Sequence, residues 1–386
     1  MRTSSPPEAP PRISQRPRLV ERFPAAPAES PRWRGLVAGP VVAIVTVIAG
    51  LFATNAAEVP LRDPDHVAAL YLALVGFGVV VMVGLDIVIR AARLSGKRRP
   101  PRSALERVRR ERWTRRRMLA VGTALISFYL SYMAYRNLKA VVPLLRPGEL
   151  FDRQLADIDR SLFLGNDPAA LMHTVLGTGI VTHAISAAYV AFIVFLPLSL
   201  ALALVFSRNL QSGLFYATAL STNWILGAGS YFLFPSLGPI YAYPSDFAGL
   251  PTSEVTHLQD ILIDQRVAFL SEPTTATPQA IAAFASLHIA MSLTAALAAH
   301  LLGAGRRLKI ALWIWFALTT ISTIYLGWHY VLDDIGGVVI AVTALALARA
   351  LTGLDLRATR QRARDAAAAQ AGGRVAADGQ PLAVTA

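Results

Sequence analysis

Residues 178–206 read TGIVTHAISAAYVAFIVFLPLSLALALVF, without one Asp, Glu, Lys or Arg. A helix needs about 20 such residues to cross the hydrocarbon of a bilayer, where backbone polar groups must be satisfied within the segment itself. Comparable runs recur at 35–54, 68–90, 118–138, 213–235, 281–303, 310–326 and 329–352. Together they predict an all-α integral membrane protein with about eight transmembrane helices. The composition agrees. Of 386 residues, 54% are apolar and 16% charged, where soluble domains carry about 25% charged residues. The chain has no cysteine, which excludes disulfides, thiolate metal sites, iron–sulfur clusters and a cysteine nucleophile.

The basic residues report orientation. Lys and Arg number 37 against 24 Asp and Glu, a net +13. With the loops sorted alternately and the N-terminus inside, 30 of the 37 fall on one side. The other side holds Arg62, Arg136, Lys139, Arg146, Arg153, Arg160 and Arg266. This asymmetry follows the positive-inside rule and predicts a multi-pass cell-membrane protein with both termini cytoplasmic. It also removes nucleic acid as a partner. Residues 94–117 read as a basic cytoplasmic loop that meets anionic lipids. Residues 1–34, with eight prolines and seven arginines, read as a disordered cytoplasmic tail, and 353–386 as a second one. Between them we expect an N-terminal transmembrane hairpin over 35–93 and a six-helix catalytic core, helices three to eight, over 118–352. Two long outer segments remain. Residues 139–177 mix apolar and charged positions as an interfacial amphipathic helix does. Residues 236–280 read as a loop shaping an entrance.

Polar residues at the rim of a span are functional candidates because burying them in lipid is expensive. Of the seven histidines, His66, His173 and His257 fall in outer loops and His300 toward the cytoplasmic end of the sixth helix. His183 has suitable depth but no supporting neighbour in sequence. His288 follows Ser286-Leu287 in the outer part of the sixth helix. His329 lies in YLGWHYVLDD, residues 325–334, where Gly327 can end the seventh helix. An eighth helix opening at His329 places Asp333 one turn along the same face, with Cβ atoms about 5–6 Å apart. Asp334 points about 100° away. A carboxylate on one imidazole nitrogen leaves the other free to attack. An opposing His288 can protonate a leaving alkoxide, and the N-terminus of the eighth helix adds partial positive charge for a phosphate. The pattern suits phosphoryl transfer through a phosphohistidine.

Ser286-Leu287-His288, together with Ser322, His329 seven residues on and Asp333 four beyond, resembles two of the three signature motifs of the type-2 phosphatidic-acid phosphatase (haloperoxidase-like) superfamily. The leucine before His288 and the run 325–330 look more like the inositol phosphorylceramide synthase (inositolphosphotransferase) branch. The resemblance covers roughly 118–352. It implies His329 as nucleophile, His288 as the acid at the leaving group and Asp333 as the orienting carboxylate, with no metal and no cofactor. The implied substrate is a membrane lipid phosphoester approached from the extracytoplasmic face. The implied enzyme is a lipid phosphatase or a head-group phosphotransferase.

The chain departs from the family at two motifs. Thr323 stands where an arginine usually follows the serine of the third motif. The first motif, Lys, six residues, Arg-Pro, occurs as Lys139 and Arg146-Pro147, but two spans separate it from His288. The expected place reads Tyr231, six residues, Gly238-Pro239, without a basic residue. We read the Lys139–Arg146 spacing as a chance match. Even so, Arg136, Lys139 and Arg146 share the outer end of the third helix and are the nearest substitutes for phosphate-binding cations, with Ser286 beside them; snorkelling at the interface is the competing account. His288, His329 and Asp333 also read as a two-histidine, one-carboxylate metal set, a weaker pattern than the family motifs. Asn223-Trp224 and Gly336-Gly337 read as helix-packing features. A non-catalytic lipid flippase or small-solute transporter on the same scaffold is the alternative function.

Overall fold

The computed structural model describes residues 32–63, 67–207, 209–365 and 368. The N-terminal tail up to residue 31, His66, Arg208 and nearly all of the chain past 365 lie outside the described residues. Among the described residues the chain is helical, without a strand. In order the helices are α1 (Trp33–Ala56), α2 (Val67–Ser95), α3 (Arg102–Arg112), α4 (Arg115–Leu145), α5 (Asp152–Leu162), α6 (Pro168–Leu176) and α7 (Ile180–Phe206). They continue as α8 (Leu210–Leu233), α9 (Pro239–Ala242), α10 (Glu254–Ser271), α11 (Leu287–Leu301), α12 (Arg306–Tyr325) and α13 (Val331–Thr352). A further helical stretch covers residues 356–365, inside the segment expected as the C-terminal tail.

Six of these helices, α1, α2, α4, α7, α12 and α13, are long and apolar enough to span a membrane. The two other expected spans, α8 and α11, differ for separate reasons. α8 is the axis of the bundle, packed by α1, α4, α7, α11 and α13. Every residue from Leu210 to Trp224 is buried. Sheltered from lipid, α8 carries Gln211, Ser212, Thr218, Ser221, Thr222 and Asn223, and Asn223 donates to Thr294 Oγ1 of α11 at 3.0 Å. α11 has only 15 residues and starts at Leu287, not near 281. Ser286 caps it, accepting from the Ile289 amide. The preceding residues are irregular and tied elsewhere: the Ala283 amide donates to the Ser236 carbonyl, and the Ser286 amide to the Asp333 carbonyl.

α1 packs on α4, α8 and α13, whereas α2 packs on α3, α4 and α7. Part of the basic 94–117 segment is helical and turned inward. Arg112 and Arg90 both pair with the buried Asp86 of α2 at 2.7 Å, and Arg112 also donates to the Val205 and Ser207 carbonyls that end α7. Cations at a helix C-terminus satisfy its orphan carbonyls. The opposite end of the bundle is covered by α5, α6, α9 and α10. Of the 139–177 segment, the residues up to Leu145 continue α4 and the rest holds two short helices, and the stretch expected as a 236–280 loop holds α9 and the 18-residue α10.

Candidate active site

α12 ends at Tyr325, and Gly327, at φ 72°, reverses the chain in a conformation that costs other residues a Cβ clash. The Trp328 and His329 amides both donate to the Thr323 carbonyl, at 3.0 and 3.2 Å. α13 then opens at Val331, so His329 stands just ahead of its first turn. His329 Nδ1 lies 3.3 Å from Asp333 Oδ2, and the Tyr330 amide donates to the same oxygen at 2.9 Å. Asp333 is fully buried. Its carboxylate is therefore fixed by a backbone donor and in turn sets the imidazole, leaving Nε2 as the ring nitrogen that Asp333 does not hold.

His288 is the second residue of α11, and its ring centroid lies 5.7 Å from that of His329. Tyr189 and Phe192 of α7 pack against it at 4.8 and 4.6 Å. The spacing of the histidines follows from how closely α11 meets α13. A Cβ at Gly337 would collide with the Ser286 carbonyl, so only glycine permits this approach.

Both rings face a cavity of about 190 Å³. Tyr135, Lys139, Tyr189, Tyr231, Tyr241 and Trp328 line it with them. Lys139 is the cation of the cavity. Its Nζ stands 5.2 Å from the Tyr231 ring centroid and 6.0 Å from that of Tyr135, and among the described residues it has no ion-pair partner. The Lys139 ammonium thus lies over the ring of Tyr231, the residue at the place where the resemblance leads one to expect the motif's lysine. Lys139 belongs to α4 and Tyr231 to α8.

The remaining candidates go elsewhere. Arg146 pairs with Glu149 and donates to the Phe232 carbonyl, lining a separate small cavity with Arg266. Arg136 bonds Tyr132 on its own helix. Ser286 is fully buried, with its hydroxyl on Asp334 and on its own helix end. Thr323 Oγ1 also bonds Asp334, at 3.2 Å. His183 and His257 are exposed, His173 lies 2.8 Å from the Tyr325 carbonyl, and His300 accepts from Trp313.

Two carboxylates of α5 that the motifs do not reveal frame the site. Asp159 accepts from the Val331 and Leu332 amides at 2.7 and 3.1 Å. The N-terminal amides of α13 expected to face a phosphate are thus occupied by a protein carboxylate. Asp152 accepts from the Leu237 and Gly238 amides, at 3.0 and 2.9 Å, and from the Tyr330 hydroxyl at 3.1 Å. Burial holds both carboxyls above the usual range, and the donated amides offset only part of that rise. Their signal in sequence is the pair Asp152 and Asp159, seven residues apart and so on one face of an amphipathic helix.

A family model described as PAP2 superfamily matches residues 153–347. No curated protein and no solved structure matches the chain. The matched residues hold His288, His329 and Asp333, while Lys139 and the first four helices stand outside them. The match takes in half of the sequence and lies on an all-helical, multi-pass membrane architecture: this chain belongs to the PAP2 superfamily.

Proposed function

We propose that this protein transfers a phosphoryl group from a membrane lipid phosphoester, at the extracytoplasmic face, through a phosphohistidine at His329. The observation that carries the reading is the convergence on one cavity of His329 backed by Asp333, His288 at 5.7 Å between ring centroids, and Lys139. Superfamily membership supports a phosphoester-acting enzyme in general. In the first step His329 Nε2 attacks phosphorus, the bond from phosphorus to the leaving oxygen breaks, and His288 donates its proton to that oxygen. In the second, water or an alcohol attacks phosphorus, the phosphorus–nitrogen bond breaks, and His288 takes the incoming proton. Lys139 offsets the charge on the phosphoryl oxygens, in the role of a cationic clamp.

Leu287 and the run 325–330 support the inositol phosphorylceramide synthase branch, in which an alcohol is the acceptor. The deciding experiment uses purified protein in detergent with labelled phosphatidate, and separately with inositol phospholipid plus an acceptor alcohol. A new labelled lipid supports transfer to the alcohol, and free phosphate supports hydrolysis. Neither product, at any lipid concentration, would remove the enzymatic reading in favour of a flippase or transporter.

A further inference from the structure

Arg62, in the stretch that follows α1, lies outside the residues matched by the family yet bonds a connector that borders the candidate site. Arg62 is fixed on α4 by its backbone: its amide donates to Asn137 Oδ1 at 2.9 Å, and Asn137 Nδ2 donates to the Arg62 carbonyl at 2.7 Å. Asn137 is buried, two residues before Lys139. From this anchor the Arg62 guanidinium donates to three main-chain carbonyls, Pro273 and Thr274 at 3.0 Å and Ala276 at 2.9 Å. They belong to the connector between α10 and α11, residues 272–286, which has no regular structure past its opening turn.

That connector is a wall of the site. Gln279, buried, donates to the Lys139 and Ala140 carbonyls at 3.0 and 3.3 Å and accepts from the Ile281 amide at 2.7 Å. Ala280, Ile281 and Ala282 line the cavity, and the connector ends at Ser286, two residues before His288. Irregular backbone at the edge of a membrane needs donors for its carbonyls. One planar guanidinium with five N–H groups meets three converging carbonyls, which a lysine ammonium on a flexible stem does less well.

We propose that Arg62 is a positioning residue for the reaction. It pins the connector that walls the cavity between Lys139 and His288, so the first two helices hold the geometry of a site to which they contribute no reacting group. The kinetic part of this inference rests on the phosphoryl-transfer reading above.

The test compares wild type, Arg62→Ala and Arg62→Lys in one detergent, by hydrogen–deuterium exchange and by steady-state kinetics. In Arg62→Ala, peptides covering 277–288 should exchange about tenfold faster, while the interiors of α8 and α13 keep the wild-type rate. The same variant should lose about ten- to a hundredfold in kcat with KM within about twofold, as expected for a displaced wall. Arg62→Lys should recover little of either. Unchanged exchange over 277–288, faster exchange spread evenly through α8 and α13, or faster exchange with unchanged kcat would each overturn the proposal. A wild-type protein without turnover on any lipid phosphate would sink the phosphoryl-transfer reading instead, and the exchange arm would still decide whether Arg62 pins the connector.

Discussion

His329 and Asp333 meet because they lie four residues apart at the opening of one helix, whereas Lys139 comes to the same cavity from the end of α4, on the far side of α8 in sequence. The first pair is a local device. His329 stands two residues ahead of α13 and Asp333 in its first turn, and the Tyr330 amide holds the carboxylate beside the imidazole. The second is a product of packing. α4 lies along α8, so a lysine of one helix stands over a tyrosine of the other, 5.2 Å from the ring centroid. In the proposed phosphoryl transfer, the contrast separates two requirements. The attacking nitrogen and its orienting carboxylate need fixed short-range geometry. The cation needs only to be near the phosphate, and any helix end at the right depth can supply it.

This comparison can be broken from either side. His329→Ala should lower kcat by about 10⁴-fold or more at unchanged expression and folding, measured on labelled lipid phosphate. His288→Ala should cost about 10²–10⁴-fold, the usual range for a positioned general acid. Lys139→Met should lower kcat/KM by about 10²–10³-fold. Adding Tyr231→Lys to that variant should return at least about tenfold, because the new ammonium would enter the same space from α8. A double variant no better than Lys139→Met would show that α4 supplies something besides the cation. Asp159→Asn, which weakens the hold on the Val331 and Leu332 amides, should lower the thermal midpoint in detergent and cost about 1–3 kcal/mol of stability, with a smaller loss of rate. Arg146→Gln should stay within about threefold of wild type in kcat/KM, since its partners are Glu149 and a carbonyl outside the cavity.

The spans were readable because a lipid-facing helix must be apolar along its whole length, as 178–206 is. The pairing of His329 with Asp333 was readable from their closeness in sequence, although α13 opens at Val331 and not at His329 as the helical spacing suggests. Other features depend on partners far along the chain. The apolar run from 281 gives no sign that Ser286 starts α11, since the residues before it are drawn off by Ser236 and Asp333. α10 carries its apolar positions Val255, Leu258, Leu262 and Phe269 at helical spacing, but they are diluted by charged neighbours. The amides of α13 looked free for an anion until Asp159 of α5 arrived to fill them. Lys139 and Arg146 share the outer end of one span and read as equivalent substitutes for a phosphate-binding cation, and only the packing of α4 on α8 sends the first into the cavity and the second away from it.

The proposed mechanism rests on a bond from His329 to phosphorus. Protein turned over with phosphorus-labelled substrate, quenched in alkali and mapped by peptide, tests it most directly. An acid-labile label is expected on the peptide containing His329, absent from His329→Ala. Label on any other residue during turnover, or undiminished turnover by His329→Ala, would contradict it.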